Sequence, residues 1–227
     1  MAQSKRQNHS GFTLVEIIVV LAVISALLAI IAPRVFPYID DGKKTQALGD
    51  VKQISAAIQV MYKDTGRWPF YKDGQGELPY TSGTDAAILT SNPLCHGGAV
   101  STCDATVPED RTTGSTWALA TAIADSLTNQ IIRDRPFDMA VGAQAYPMTG
   151  KKAWKGPYVD RMADTDPWGR SYLVNIANAD PDDEGAETQN WVLVISAGPN
   201  GALETGAVVL GTADPRPGGD DIVARVK

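Results

Sequence analysis

A chain of 227 residues with a formal charge of −6 is long enough for one core of ordinary size carrying an extra element, rather than for two full domains. The acidic balance disfavours unspecific attachment to the phosphate backbones of nucleic acids, which needs clustered Lys and Arg. Only two histidines, His9 and His96, and two cysteines, Cys95 and Cys103, are present, so a structural role is expected rather than an enzyme.

Residues 1–10 are polar and include Lys5, Arg6 and His9; after Gly11 an apolar run extends from Phe12 to Ala32 with Glu16 as its one charge. As a helix, about twenty apolar residues span roughly 30 Å, the thickness of a bilayer's hydrocarbon layer. An ordinary signal peptide carries a small-residue cleavage site after its apolar run, and none precedes the charged stretch Asp40 to Lys44, so the helix is expected to be retained. Basic residues before it and acidic ones after it predict a cytoplasmic leader and an outward-facing remainder. Glu16 needs an explanation, because an ionised group at the centre of a bilayer helix costs about 2.5–3.5 kcal/mol. It can pair with a cation or snorkel to the nearby interface.

The hexapeptide Gly11-Phe12-Thr13-Leu14-Val15-Glu16 resembles the recognition site of prepilin peptidase in type IV pilins and their relatives. The resemblance implies cleavage after Gly11, methylation of the new N-terminal Phe12, and pairing of Glu16 with the terminal amine of a neighbouring subunit. A plain single-pass anchor is the alternative. The domains expected on this reading are a leader over 1–11, a transmembrane and filament-core helix over 12–37, and a globular head over 38–227. Loss of Lys5 and Arg6 with the leader would take the formal charge to about −8 and leave His96 as the sole imidazole.

Pro33 and Pro37 each remove a backbone donor, which predicts a bend or loosened turn between Ile31 and Tyr38. The helix is expected to resume over about 43–65, where Leu48, Val51, Ile54, Ile58 and Met61 recur at steps of three and four as one buried stripe. Gly66 followed by Trp68-Pro69 stops it. The segment from Tyr62 to Pro69 also resembles the end of this helix in major pseudopilins.

Between 70 and 153 the composition reads as a loop-rich insertion. Ser115 or Thr116 could cap a helix in which Leu119, Ile123 and Leu127 share a face. In an exported chain Cys95 and Cys103 are expected to form a disulfide that staples a loop tip, worth about 2–3 kcal/mol; two reduced thiols are the alternative. His96-Gly97-Gly98 between them offers no recognisable metal-ligand spacing.

From about 156 to 227 turn signals at Gly156-Pro157 and Asp166-Pro167-Trp168-Gly169 separate predicted strands at Ser171–Ile176, Trp191–Ser196, Ala207–Leu210 and Ile222–Val226. Short connections favour an antiparallel sheet packed on the helix. These turns, with Ser196-Ala197-Gly198-Pro199-Asn200-Gly201, resemble the second half of a major pseudopilin. That resemblance implies a calcium ion held by the carbonyls of Ala197 and Ala202 and the side chains of Asn200, Asp220 and Asp221. Calcium takes six to eight oxygens, which carboxylates and carbonyls of two loops can supply. Asn200 stands where the family commonly has an aspartate, and 203–218 is longer than in the family; Glu204 could restore a carboxylate. Read without the family, Asn200-Gly201 and Gly219-Asp220 are ordinary turn sequences.

The expected fold is α+β and type IV pilin-like, with a long N-terminal helix packed on a small antiparallel sheet. The expected function is that of a major pseudopilin of a type II secretion system, whose fibre drives protein export across the outer membrane. The family implies homopolymerisation, processing by prepilin peptidase, and contact with an inner-membrane assembly platform and minor pseudopilins. It places the chain in the bacterial inner membrane with its head in the periplasm, then in a filament. A surface type IV pilin for adhesion, motility or DNA uptake is the alternative; its cysteines would ordinarily bound a region near the C-terminus, whereas Cys95 and Cys103 are central. A single-pass calcium-binding module would leave the leader and Glu16 without a purpose.

Overall fold

The computed structural model describes residues 12–66, 68–69, 88–112, 117, 119–120, 123–134, 146–176, 192–206 and 217–226. The chain divides into two compact units between Gly42 and Lys43. Helix α1 (Leu14–Thr65) is 52 residues long, starting in the first unit and ending in the second. All 19 residues of its Leu14–Ala32 stretch are exposed, and they are long and apolar enough to cross a membrane.

Through Pro33 and Pro37, where a bend or loosened turn is expected, α1 is one continuous helix. Each proline removes one donor to the residue four before it, but the helix is already nucleated on both sides. Two missing bonds one turn apart therefore leave it undivided. Gly66 then ends it with φ of 70°, a backbone shape open to glycine, while its N–H donates to the Tyr62 carbonyl at 2.7 Å. Trp68 closes the end by stacking on Tyr62 with ring centroids 4.1 Å apart.

Within the second unit, α1 buries Ala47, Val51, Ile54, Ala57, Ile58 and Met61. Leu48 is a correction to the predicted stripe. It is 38% exposed, because at 100° per residue Ala47 lies four residues before Val51 on the inward face and Leu48 lies beside it.

Among the described residues eight strands follow, with one short helix between the second and third: β1 (Ile88–Thr90), β2 (His96–Ala99), α2 (Val100–Cys103), β3 (Glu109–Asp110) and β4 (Ile123–Ser126), then β5 (Leu173–Asn175), β6 (Leu193–Ser196), β7 (Ala202–Leu203) and β8 (Ile222–Arg225). Six of them form one sheet in the order β2-β4-β1-β5-β6-β8, and β3 pairs with β7. The class is α+β as expected, yet the sheet is larger than expected and mixed: β5, β6 and β8 are antiparallel neighbours, whereas β1 and β4 run parallel. Half of its strands come from the insertion.

The reason lies in the pleat. Leu89, Val174 and Val194 share a core with the inward stripe of α1. Their chain neighbours Ile88, Leu173 and Ile195 point to the other face and pack with Cys95, Val100, Trp117 and Leu119. A sheet apolar on both faces needs a cover on each, and the insertion supplies the second. Each large aliphatic or aromatic side chain so buried contributes about 1.5–3 kcal/mol.

The predicted helix around Leu119, Ile123 and Leu127 is a second correction. Ile123–Ser126 is strand β4, paired with β1 on one side and β2 on the other. A helical turn of π type begins only at Thr128 and ends at Ile132. Leu119 and Leu127 are buried as expected, but a spacing of four, an even number, also suits one face of a strand, and pairing on both edges decides. Ser115 and Thr116, and the strand predicted over Ala207–Leu210, lie outside the described residues.

After this turn Asp134 adopts φ of 50°, and one of its carboxylate oxygens is buried with no hydrogen-bond partner among the described residues. Burial pushes its pKa up to about 6, against about 3.9 in an unfolded chain. The folded state therefore holds the proton more tightly, and stability should fall as pH rises from about 4 to 6. Asp134→Asn, which tolerates the same backbone shape, should flatten that fall; denaturant melts at pH 4.5 and 7 compare the two proteins.

Candidate functional site

Two regions bear on function. The first is the start of α1, where Gly11 lies outside the described residues and Phe12 is 80% exposed. Thr13 Oγ1 accepts from the Glu16 N–H at 3.2 Å, and the Glu16 carboxylate reaches back toward the Thr13 N–H at 3.4 Å. This reciprocal pattern is a capping box, which supplies acceptors to two N–H groups that a helix start leaves open. The Thr-x-x-Glu signal is local to Thr13-Leu14-Val15-Glu16 and adds a capping role to the pairing or snorkelling expected of Glu16. At 3.4 Å the carboxylate makes only long contacts, to Thr13 N and Oγ1. It retains acceptor capacity on this exposed helix end.

The second region is made by two loops, 197–206 after β6 and 217–221 before β8. Ser196 Oγ donates to the buried Asp166 carboxylate at 2.7 Å and accepts from the Gly198 N–H at 3.2 Å, which anchors the first loop to the sheet. Gly198 has φ of 62°, and any side chain there would collide with the Asp220 backbone. Its absence lets the loops touch.

Asp220 accepts from the Asn200 N–H at 3.0 Å, and Asn200 Oδ1 accepts from the Ala202 N–H at 2.7 Å. Asp221 is buried and one of its oxygens accepts from the N–H groups of both Glu204 and Thr205, at 2.8 and 2.6 Å. Burial pushes the Asp221 carboxyl up despite these bonds. The other carboxylate oxygens of Asp220 and Asp221 are buried with no hydrogen-bond partner among the described residues. Leaving a charged acceptor so placed is costly unless something cationic meets it.

Of the sequence-predicted set, Asn200 and Ala202 are thus brought together by a hydrogen bond and Asn200 with Asp220 by another. Ala197 is buried at the end of β6. The Ala202 carbonyl points away from β3, because Gly201 and Leu203 on either side direct theirs toward it. Glu204 is exposed, and its carboxylate occupies the space a side chain on Gly219 would take. No group of three His, Cys, Asp or Glu side chains able to hold a metal is found among the described residues. The set at issue relies on two carboxylates, an amide and carbonyls.

Cys95 and Cys103 are joined by a disulfide, with Cα atoms 5.0 Å apart. The expected loop tip is corrected, since the ring contains the edge strand β2 and the turn α2, and Cys95 is buried in the second core.

Residues 6–32 match the family described as the prokaryotic N-terminal methylation motif. Over 70 residues, 31% of this chain and 49% of the relative, the sequence is 39% identical to type II secretion system core protein G of Pseudomonas aeruginosa. It is 27% identical over 70 residues to the core protein G of Klebsiella michiganensis, again 31% of this chain and 49% of the relative. To fimbrial protein EcpC of Eikenella corrodens it is 33% identical over 64 residues, 28% of this chain and 42% of the relative. The chain spans about half the length of the curated relatives it matches. No solved structure matches it.

The motif and these likenesses make the chain similar to type IV pilin-like proteins. Within that class it is similar to the core protein G of type II secretion systems in several bacteria.

Asp221→Ala should lower stability by about 1–3 kcal/mol, because it strands the N–H groups of Glu204 and of the buried Thr205. Denaturant unfolding of the two proteins measures the difference.

Proposed function

We propose that this chain is a structural subunit of a filament, the major pseudopilin of a type II secretion system, and not an enzyme. The observation that carries the reading is the methylation motif at the mouth of an apolar helix whose Leu14–Ala32 stretch is wholly exposed. Such a surface is stable in a bilayer or in a bundle of like helices, and not in water. Similarity to core protein G points to the secretion system. The central Cys95–Cys103 disulfide favours it over a surface pilin, while the likeness to fimbrial protein EcpC keeps the surface pilin as the second reading.

On this proposal prepilin peptidase cuts after Gly11 and the Phe12 amine is methylated. With a pKa of about 7.7–8 before modification, that amine is a cation suited to the carboxylate of Glu16 in the next copy. The capping box would then orient Glu16 at the helix start before assembly. The subunit waits in the inner membrane with its head in the periplasm. It next joins copies of itself on an inner-membrane platform together with minor pseudopilins. In the native host, Glu16→Ala should still be cleaved to a Phe12 terminus and stay in the membrane but form few fibres. Mass spectrometry and sheared-fibre yield are the measurements, and a normal yield refutes the pairing.

We also propose calcium as the cation of the two loops. The partnerless oxygens of Asp220 and Asp221, the Asn200 amide oxygen and the carbonyls of Ala197 and Ala202 would hold it, and the donor set is all oxygen, as calcium requires. Bound there, the ion neutralises the buried carboxylates and ties the loops together. Chelation of the full chain in detergent should lower Tm by several degrees and added calcium should restore it. An unchanged melting curve counts against the site.

A further inference from the structure

The first loop is held from two sides, and only one of them belongs to the proposed metal site. Its N–H groups at Glu204 and Thr205 turn to Asp221. Its carbonyls turn to the insertion: Gly201 accepts from the Glu109 N–H at 3.1 Å, Leu203 from the Arg111 N–H at 3.0 Å, and Thr205 from Trp117 Nε1 at 2.8 Å. The β3–β7 pairing is thus a splint laid along the loop.

The splint is itself braced. Trp117 is buried, and its backbone N–H donates to the Asp110 carboxylate at 3.1 Å. Leu203 and Ala197 of the loop pack in the same core as Trp117, Val100 and the disulfide-bonded Cys95. Behind them the buried Asp104 takes the Thr90 hydroxyl at 2.6 Å and the Thr106 hydroxyl at 2.7 Å, and Thr106 Oγ1 meets Ser171 Oγ at 2.7 Å. These bonds tie Asp104 and Thr106 to β1 within the insertion and to Ser171 just before β5.

We propose that the insertion is a preforming wall for the loop: β3 and Trp117 hold residues 200–205 in their bound shape without metal, so that calcium meets an ordered site. In its metal half the inference rests on the calcium reading above. A wall of this kind lowers the ordering that binding must otherwise impose, and so raises affinity without touching the ion. Trp117 and Glu109 are positioning residues on this account.

The test uses the full chain in detergent, with Trp117→Phe removing the indole donor and Glu109→Pro removing the β3 donor at an exposed position. In calcium-free wild type, peptides over 200–206 should be protected from hydrogen exchange. Both variants should lose that protection while peptides over 46–62 of α1 keep theirs, and calcium titration should show a Kd about 2- to 10-fold weaker. A loop that exchanges freely in calcium-free wild type overturns the proposal, as do variants with unchanged exchange and Kd, or a loss of protection that spreads to α1. A protected loop in a wild type that takes up no calcium overturns the metal reading and leaves the wall supported.

Discussion

The head is organised by one constraint, that the strands β1, β5 and β6 carry apolar side chains on both faces. Alternation sends Leu89, Val174 and Val194 to the stripe on α1 and sends Ile88, Leu173 and Ile195 the other way. A three-stranded C-terminal sheet covered only by a helix would leave Leu173 and Ile195 in water. The insertion answers this by adding β1, β2 and β4 to the sheet and by placing Trp117, Leu119, Val100 and the disulfide over the exposed face. Hydrophobic burial, roughly 25 cal/mol per Å² of apolar surface, is what makes the added chain part of the fold rather than an appendage.

Buried carboxylates then fix where that cover sits. Asp104 is held below the usual carboxylate range: burial pushes it up, but hydrogen bonds from Thr90, Ser171 and Thr106 outweigh it. Asp166 accepts from Trp168 N, Arg170 N and Ser196 Oγ, which seats the turn before β5 against the end of β6. Asp125 takes Asn129 Nδ2 at 3.0 Å and Gln130 Nε2 at 2.5 Å, with Tyr146 donating to Gln130 at 2.6 Å. Each has donors at hand; Asp220 and Asp221 differ in keeping one buried oxygen apiece without a partner among the described residues. Asp134 shares that trait, so what marks Asp220 and Asp221 is the trait together with their place side by side against the Asn200 loop.

Two properties meet in α1. Its first part is apolar on all sides and suits lipid or like helices, while from Ala47 onward it presents one stripe to a sheet and polar groups elsewhere. Among those polar groups, Asp50 accepts from the Tyr172 hydroxyl at 2.7 Å, and Ser55 and Gln59 donate to the carbonyls of Arg225 and Val226 at 2.8 and 2.9 Å. The helix thereby binds both the middle and the edge of the sheet by directional bonds as well as by packing.

What could be read from sequence were the features written in local order. The apolar run after Gly11, the methylation motif, the helix stop at Gly66 and the strands around Leu173, Leu193 and Ile222 all follow from composition, periodicity or turn chemistry within a few residues. The capping box at Thr13 and Glu16 is equally local. The identity of β4 was not available in this way, since Ile123–Ser126 is a strand only because β1 and β2 flank it. Nor was the splint of Glu109, Arg111 and Trp117 on a loop some ninety residues further along. Sequence by itself determined which segments are apolar and where the backbone must turn, because those are properties of neighbouring residues. Tertiary structure alone decided which edges pair and which acids keep a bare oxygen, because hydrogen-bond partners and desolvation come from chain that is distant in sequence.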